Sequence, residues 1–176
     1  ARLLSGPAPV IVVVVAAATA GALAGGFTDL SVYLHGGRAV LEGQTLDGYA
    51  EPVTGLPFTY PPFAALLSVP LALLPFGAVG WLWTALQVAA TTAVVWYAGW
   101  RLIHRAGTRA PLLLALLTAP MLWLHPVSDG IRFGQVNAFI VLACLMDLRR
   151  PRPGLLRGIP EGVLVGVAMA VKLTPG

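Results

Sequence analysis

The sequence predicts an all-α polytopic membrane protein, and three observations lead there. Of 176 residues, 57% are hydrophobic and only 10% are charged, where soluble domains carry about 25% charged residues. The apolar residues gather into stretches near the length that crosses a bilayer. The basic residues stand in short clusters between those stretches, which is a topology signal and not a nucleic-acid surface, despite the net charge of +4. The 20 Gly and 15 Pro suit membrane helices. The single cysteine, Cys144, excludes an internal disulfide and lies in an apolar run where packing is its expected role.

Residues 8–27 are uncharged and rich in Val, Ala and Gly, and form the first expected span. Arg2 ahead of them also fits a signal peptide, but the further apolar segments favour an anchor. Residues 28–80 form a long outer loop. Within it, Leu30, Tyr33, Leu34, Val40 and Leu41 recur at helical spacing opposite Ser31, His35, Arg38 and Glu42. That pattern predicts a short amphipathic helix lying on the membrane surface and ended by Gly43. Residues 51–57 carry loop chemistry. Residues 62–76 are apolar but short and contain Pro70 and Pro75. Further spans are expected at about 81–103, 111–127, 135–148 and 161–176, with a short outer loop at 128–134. The chain starts at Ala1 and stops at Gly176 just after an apolar segment, so it reads as the N-terminal part of a longer membrane domain.

The positive-inside rule decides how 62–76 is placed. If it re-enters or lies on the surface, Arg2 and the basic clusters at 101–109 and 149–157 fall inside, while Asp29, Glu42, Asp47, Glu51 and Asp129 fall outside. If it crossed, Arg2 would oppose both larger clusters. The re-entrant reading is the consistent one.

Four groups have the residue types for chemistry. Asp29 is the first acid in the chain and stands where the first span ends. It suits a helix N-cap, or a general base at the membrane boundary. Tyr60 is held out of the α region by Pro61 and Pro62 and suits an interfacial anchor or a surface for stacking a sugar. Gln135 and Asn137 head an apolar helix, after the flexible Gly134. They suit interhelical hydrogen bonds or a hydroxyl-rich ligand, since each amide both donates and accepts. Lys172 lies about eleven residues into an apolar helix, deep in the outer half of the membrane. It either snorkels outward or meets an anion, of which a lipid phosphate is the obvious one. His35, His104 and His125 are too scattered for a metal cluster, though His125 is near enough to the outer side to join a site.

In order along the chain stand Asp29 after the first span, the pair Val32-Tyr33, the run Phe58-Thr59-Tyr60-Pro61-Pro62-Phe63-Ala64-Ala65-Leu66-Leu67, Gly134-Gln135-Val136-Asn137 and Lys172-Leu173-Thr174-Pro175. This succession resembles glycosyltransferase family 87, the polyprenyl-phosphate-mannose-dependent α-1,2-mannosyltransferases of actinobacterial envelopes. The resemblance implies a GT-C bundle of membrane helices in the plasma membrane, with surface helices in the first outer loop and an extracytoplasmic active site. It implies Asp29 as catalytic base, Lys172 and Arg132 at the donor phosphate, and Tyr33, Tyr60, Asp129, Gln135 and Asn137 against substrate. It implies a polyprenyl-phosphate sugar as donor and an envelope glycolipid or polysaccharide as acceptor, with no cofactor. Asp29 is not part of an Asp-x-Asp pair, so no bound metal is inferred. The rival class is a transporter or flippase for a lipid-linked or small polar substrate, because an intramembrane lysine and proline-broken helices also mark transport sites.

Overall fold

The computed structural model describes residues 8, 9, 11–13, 16, 26–148 and 158–173. Most of the expected first span, the basic cluster 149–157 and the end of the last expected span lie outside the described residues. Among the described residues the fold is all-helical, with one isolated β-bridge between Ala50 and Pro57. Its elements are α1 (Thr28–Leu41), α2 (Pro62–Ala72), α3 (Phe76–Ala98), α4 (Trp100–Arg105), a 3₁₀ turn (Gly107–Arg109), α5 (Ala110–Trp123), α6 (His125–Phe133), α7 (Asn137–Leu148) and α8 (Val163–Val171).

Helix α1 forms where the amphipathic pattern predicts one, and it closes at Glu42 with Gly43 beyond it at φ 68°. It does not lie on a surface with one face in lipid. Leu30, Ser31, Val32, Tyr33, Leu34, Gly36, Gly37 and Ala39 are all buried, on every side of the helix. The cause is three close neighbours. Gly37 lies against the Ser68 backbone of α2, where a Cβ would come within 3.0 Å of the carbonyl carbon. The Phe58 ring covers Gly36. Leu30 meets Gly134 from the α6–α7 turn. Arg38 adds a bond from Nε to the Ala72 carbonyl at 3.3 Å, occupying one of the free carbonyls at the end of α2. Phe27, Leu30, Tyr33 and Leu34 join Ala72, Val79 and Val136 in the main core.

The 62–76 segment is a helix of 11 residues, about 16 Å long at ~1.5 Å per residue and so about half of a ~30 Å hydrocarbon core. Three expected boundaries shift. The span expected at 81–103 is the helix Phe76–Ala98, set five residues earlier because Pro75 provides its start and Gly99 breaks it from α4. The span expected at 111–127 ends at Trp123, and the expected loop 128–134 is instead helix α6, with Pro126 in its first turn and Gly134 past its end. Among the described residues, the last apolar stretch is helical from Val163 to Val171. Among the described residues, Phe76–Ala98 alone is a single helix long and apolar enough to cross a membrane. Gly107–Trp123 with His125–Phe133 makes a second candidate only if the pair, bent by 75°, counts as one span.

Four hydroxyls on apolar helices α2 and α3 bond back within their own helix. Thr84, Thr91 and Thr92 of α3 donate to the carbonyls of Gly80, Gln87 and Val88, and Ser68 of α2 donates to that of Ala64. Asp147, buried at the end of α7, accepts from the backbone of Val165 at 3.0 Å, so it meets a free N–H of the first turn of α8 and fixes that helix against α7.

Candidate active site

The site begins with a backbone distortion. Phe27, ahead of α1, is left-handed at φ 43° and ψ 37° and is the one non-glycine residue with positive φ among those described. That conformation costs roughly 1–2 kcal/mol. Its surroundings hold it there. The Phe27 amide donates to the Arg132 carbonyl at 3.1 Å, the ring meets Phe76 edge-on at 6.3 Å, and Gly80 leaves room for the ring. The turn starts the helix at Thr28 and puts Asp29 in its first turn.

Asp29 is therefore not an N-cap. It is the second helical residue, and no side chain caps this helix start. Its carboxylate turns to two distant groups instead. The Tyr60 hydroxyl donates to Oδ1 at 2.6 Å, and Gln135 Nε2 donates to Oδ2 at 3.3 Å. The Asp29 side chain remains partly exposed.

Each partner is itself placed by packing. Tyr60 stacks against Tyr33 with ring centroids 4.6 Å apart, and Phe58 meets it edge-on at 5.8 Å. Burial, and next the bond to Asp29, push the Tyr60 phenol up to about 12, so it remains a proton donor at neutral pH. Tyr33 is 2% exposed and lies between Tyr60 and Trp83. Burial, and next the neighbouring Tyr60 hydroxyl, raise its phenol well above the ordinary value. Gln135 owes its place to Gly134, whose left-handed φ of 75° turns the chain out of α6. A Cβ at Gly134 would stand 2.6 Å from Leu30 Cβ, so only glycine lets this turn close on α1.

From Gln135 the polar contacts continue. Asn137 Nδ2 donates to Gln135 Oε1 at 2.7 Å, and Lys172 Nζ donates to Asn137 Oδ1 at 3.1 Å. Lys172 Nζ also stands 5.8 Å from the centre of the Tyr60 ring. Asp29, Gln135, Asn137, Lys172 and Tyr60 thus form a closed ring of contacts drawn from four separate segments. Lys172 is not inside a helix, as the apolar pattern suggests. The helix stops at Val171, and Lys172 is extended at φ −152° and ψ 124°. Continuing the helix would hold the ammonium on an apolar rod, whereas the extended backbone lets it reach Asn137. Among the described residues no carboxylate lies within ion-pair distance of it.

Two expected members stand apart from this ring. Asp129 pairs with His125 one helical turn away, at 2.9 Å on α6, and His125 is largely exposed. The Arg132 guanidinium lies 5.6 Å from the centre of the Phe133 ring, and it is the Arg132 carbonyl that serves the site, through Phe27. Trp83 of α3 donates Nε1 to the Gly134 carbonyl at 2.8 Å and so supports the turn carrying Gln135. Its spacing in an apolar helix carried no sign of that.

Beside the ring lies an apolar cavity of about 320 Å³. Tyr33, Leu71, Trp83, Val136, Phe139 and Val171 are among the residues lining it. Val136 lies between Gln135 and Asn137 in sequence, and Val171 precedes Lys172, so cavity and polar ring share walls. No group of three or more His, Cys, Asp or Glu among the described residues is placed to hold a metal.

A partly exposed acid, an ammonium without a carboxylate and an adjoining apolar cavity make a site suited to an anionic amphiphile. Residues 58–176 match glycosyltransferase family 87, and the chain belongs to that family. It is 39% identical over 153 residues to a polyprenol-phosphate-mannose-dependent α-(1-2)-phosphatidylinositol pentamannoside mannosyltransferase of Mycobacterium tuberculosis, a match covering 85% of this chain and 34% of that protein. Its identity to the protein of the same description from Mycolicibacterium smegmatis is 39% over 155 residues, covering 85% of this chain and 35% of the relative. A polyprenol-phosphate-mannose-dependent α-(1-2)-phosphatidylinositol mannoside mannosyltransferase of Mycobacterium tuberculosis is 34% identical over 163 residues, covering 84% of this chain and 37% of that protein. The chain thus spans about a third of the length of these curated relatives. No solved structure matches it.

Proposed function

We propose that the complete protein is a multi-pass membrane mannosyltransferase of GT-C architecture in the plasma membrane. It moves mannose from a polyprenyl-phosphate donor to a hydroxyl of an envelope glycolipid on the extracytoplasmic side. The observation that carries this reading is the placement of Asp29 and Lys172 in one ring of contacts, with Tyr60 and Gln135 holding the carboxylate and Asn137 holding the ammonium. The relatives are named for polyprenol-phosphate-mannose and for phosphatidylinositol mannosides, which favours a glycolipid over a polysaccharide as acceptor.

The chemistry is a single displacement. Asp29 accepts the proton of the attacking acceptor hydroxyl. The hydroxyl oxygen forms its bond to the anomeric carbon as the bond from that carbon to the phosphate oxygen breaks. The electron pair leaves with the lipid phosphate, and Lys172 offsets the charge that develops there. A positioned base contributes roughly 10²–10⁴-fold, and fixed charge at the departing group adds an electrostatic contribution. Tyr60, backed by the buried Tyr33, offers aromatic surface to a sugar ring, and the apolar cavity accepts the lipid nearest the phosphate.

Extensive apolar exposure supports the membrane setting. Leu66, Leu67, Leu73, Trp81, Leu116 and Trp123 are all exposed, as residues facing lipid or the remainder of the protein would be. Arg101, Arg105 and Arg109 follow the end of α3, whose start meets Phe27 beside Asp29, and the positive-inside rule then favours an outer Asp29. The test is transfer from radiolabelled polyprenyl-phosphate mannose in membranes bearing the full-length protein. Labelled glycolipid that depends on Asp29 supports the reading. Movement of the labelled lipid across the membrane without transfer would make the protein a flippase instead.

A further inference from the structure

Gln87 is the polar residue that the ring leaves unexplained. It sits at the middle of the 23-residue helix α3 and is 1% exposed. A buried amide in a helix of this kind is costly unless its groups are satisfied. The threonines of the same helix satisfy themselves on their own backbone. Gln87 reaches across to the α6–α7 turn. With its amide oriented to fit its neighbours, its nitrogen donates to the Gln135 carbonyl at 3.0 Å and the Gly130 carbonyl at 3.1 Å, and its oxygen accepts from Trp83 Nε1 at 3.2 Å. Trp83, one turn earlier on α3, also donates to the Gly134 carbonyl at 2.8 Å. The Gln135 amide completes the turn by donating to Gly130 at 2.8 Å. Two side chains of one rigid helix therefore hold three carbonyls of the turn from which Gln135 extends to Asp29.

We propose that Gln87 and Trp83 are positioning residues that set the Gln135 amide onto the Asp29 carboxylate, an inference resting on the reading of Asp29 as base. The alternative is that they only supply bonds to the otherwise free carbonyls at the end of α6. The two differ in how mutations combine. If Gln87 and Trp83 act through Gln135, their loss has nothing further to remove once the Gln135 side chain is gone. If they act on stability alone, kcat per folded molecule does not change, and if they act on turnover by a route other than Gln135, the losses are independent and multiply.

The experiment measures kcat and KM for donor and acceptor in the full-length protein, normalised to folded enzyme, for Q87M, W83F, Q135A, Q87M/Q135A and W83F/Q135A. Methionine keeps the volume of Gln87 without its bonds, and phenylalanine keeps the aromatic body of Trp83 without Nε1–H. Q87M is expected to lower kcat about 10- to 100-fold with each KM within about twofold, since a misplacement of the order of 1 Å costs that much. Each double variant is expected to be no slower than Q135A. Double variants slower than Q135A by the full factor of the single change would overturn the proposal, as would Q87M with lowered yield but unchanged kcat per folded molecule. If Q87M does not fold, the W83F pair decides by the same criterion. D29N is measured alongside: substantial transfer by D29N removes the base reading itself, whereas multiplying losses with D29N inactive remove only the positioning role.

Discussion

Helix α1 holds the two carboxylate environments that matter most, and they are opposites. Asp29, at its start, accepts one bond on each oxygen, from Tyr60 and from Gln135, and stays partly exposed. Glu51, in the loop packed against the same helix, is 1% exposed and closely surrounded. Ser31 donates to its Oε1 at 2.9 Å, His35 Nδ1 stands 3.2 Å from that oxygen, and the Thr54 hydroxyl and backbone amide both bond to Oε2. Burial alone would raise the Glu51 carboxyl, but the bonds from Thr54, Val53 and Ser31 outweigh it and hold the group at about 2. Glu51 has its acceptor capacity committed and serves as a rivet between loop and helix. Asp29 is held still while keeping capacity for a substrate proton. On the proposed function, the difference separates an acid that builds the site from one that would work in it.

The largest expected effect breaks the comparison at Asp29. D29N should lower transfer by roughly 10²–10⁴-fold while leaving the thermal transition of the purified protein in place; transfer assays and melting curves on the same preparation check both. K172A should come next, cutting kcat/KM for the donor by about 10²-fold as a charge at the leaving phosphate is lost. Donor titrations would show this, and an unchanged donor dependence would mean the ammonium merely reaches toward the interface. Y60F should slow turnover about tenfold, in line with removal of a ~1.5 kcal/mol bond to a charged group. E51Q should have the smallest effect on turnover per folded molecule, while destabilising the protein by about 2 kcal/mol through loss of charge-assisted bonds. Glu51 also gives the comparison a pH axis. Its carboxyl is held below its ordinary value of 4.5, at about 2. Its contribution to stability is therefore complete above about pH 4.5 and drains away as pH falls toward 2. Melting temperature should drop over that window in the wild type and vary less in E51Q.

The sequence revealed Asp29, Gln135 and Asn137 because polar groups at the edge of apolar stretches must find partners. Which partners they find is a matter of long-range geometry: Tyr60 lies 31 residues from Asp29, and Gln135 lies 106 residues away. Lys172 stood out by its charge, but the pattern around it suggested a helix that in fact ends one residue earlier. Asp129 and Arg132 were expected at the site because they occupy the right loop. That segment is a helix, and their side chains go to His125 and Phe133. Glu51 looked like solvated loop, because nothing local marks an acid that Ser31, 20 residues away, will cover. The all-helical class was plain from composition and apolar runs. Helix ends were not, since Pro75, Gly99 and the Leu124 bend act through backbone geometry that hydrophobic pattern does not record.

The ring of contacts also implies an order of assembly. Chains enter the membrane from the N-terminus as they are made, so Asp29 and Tyr60 are available to each other long before Gln135 and Asn137 appear. Lys172 arrives last, 35 residues after Asn137. A nascent chain halted before residue 172 can own a tethered acid but no cation facing it. The acid and the cation come to share one ring of contacts only when the last of these segments is in place.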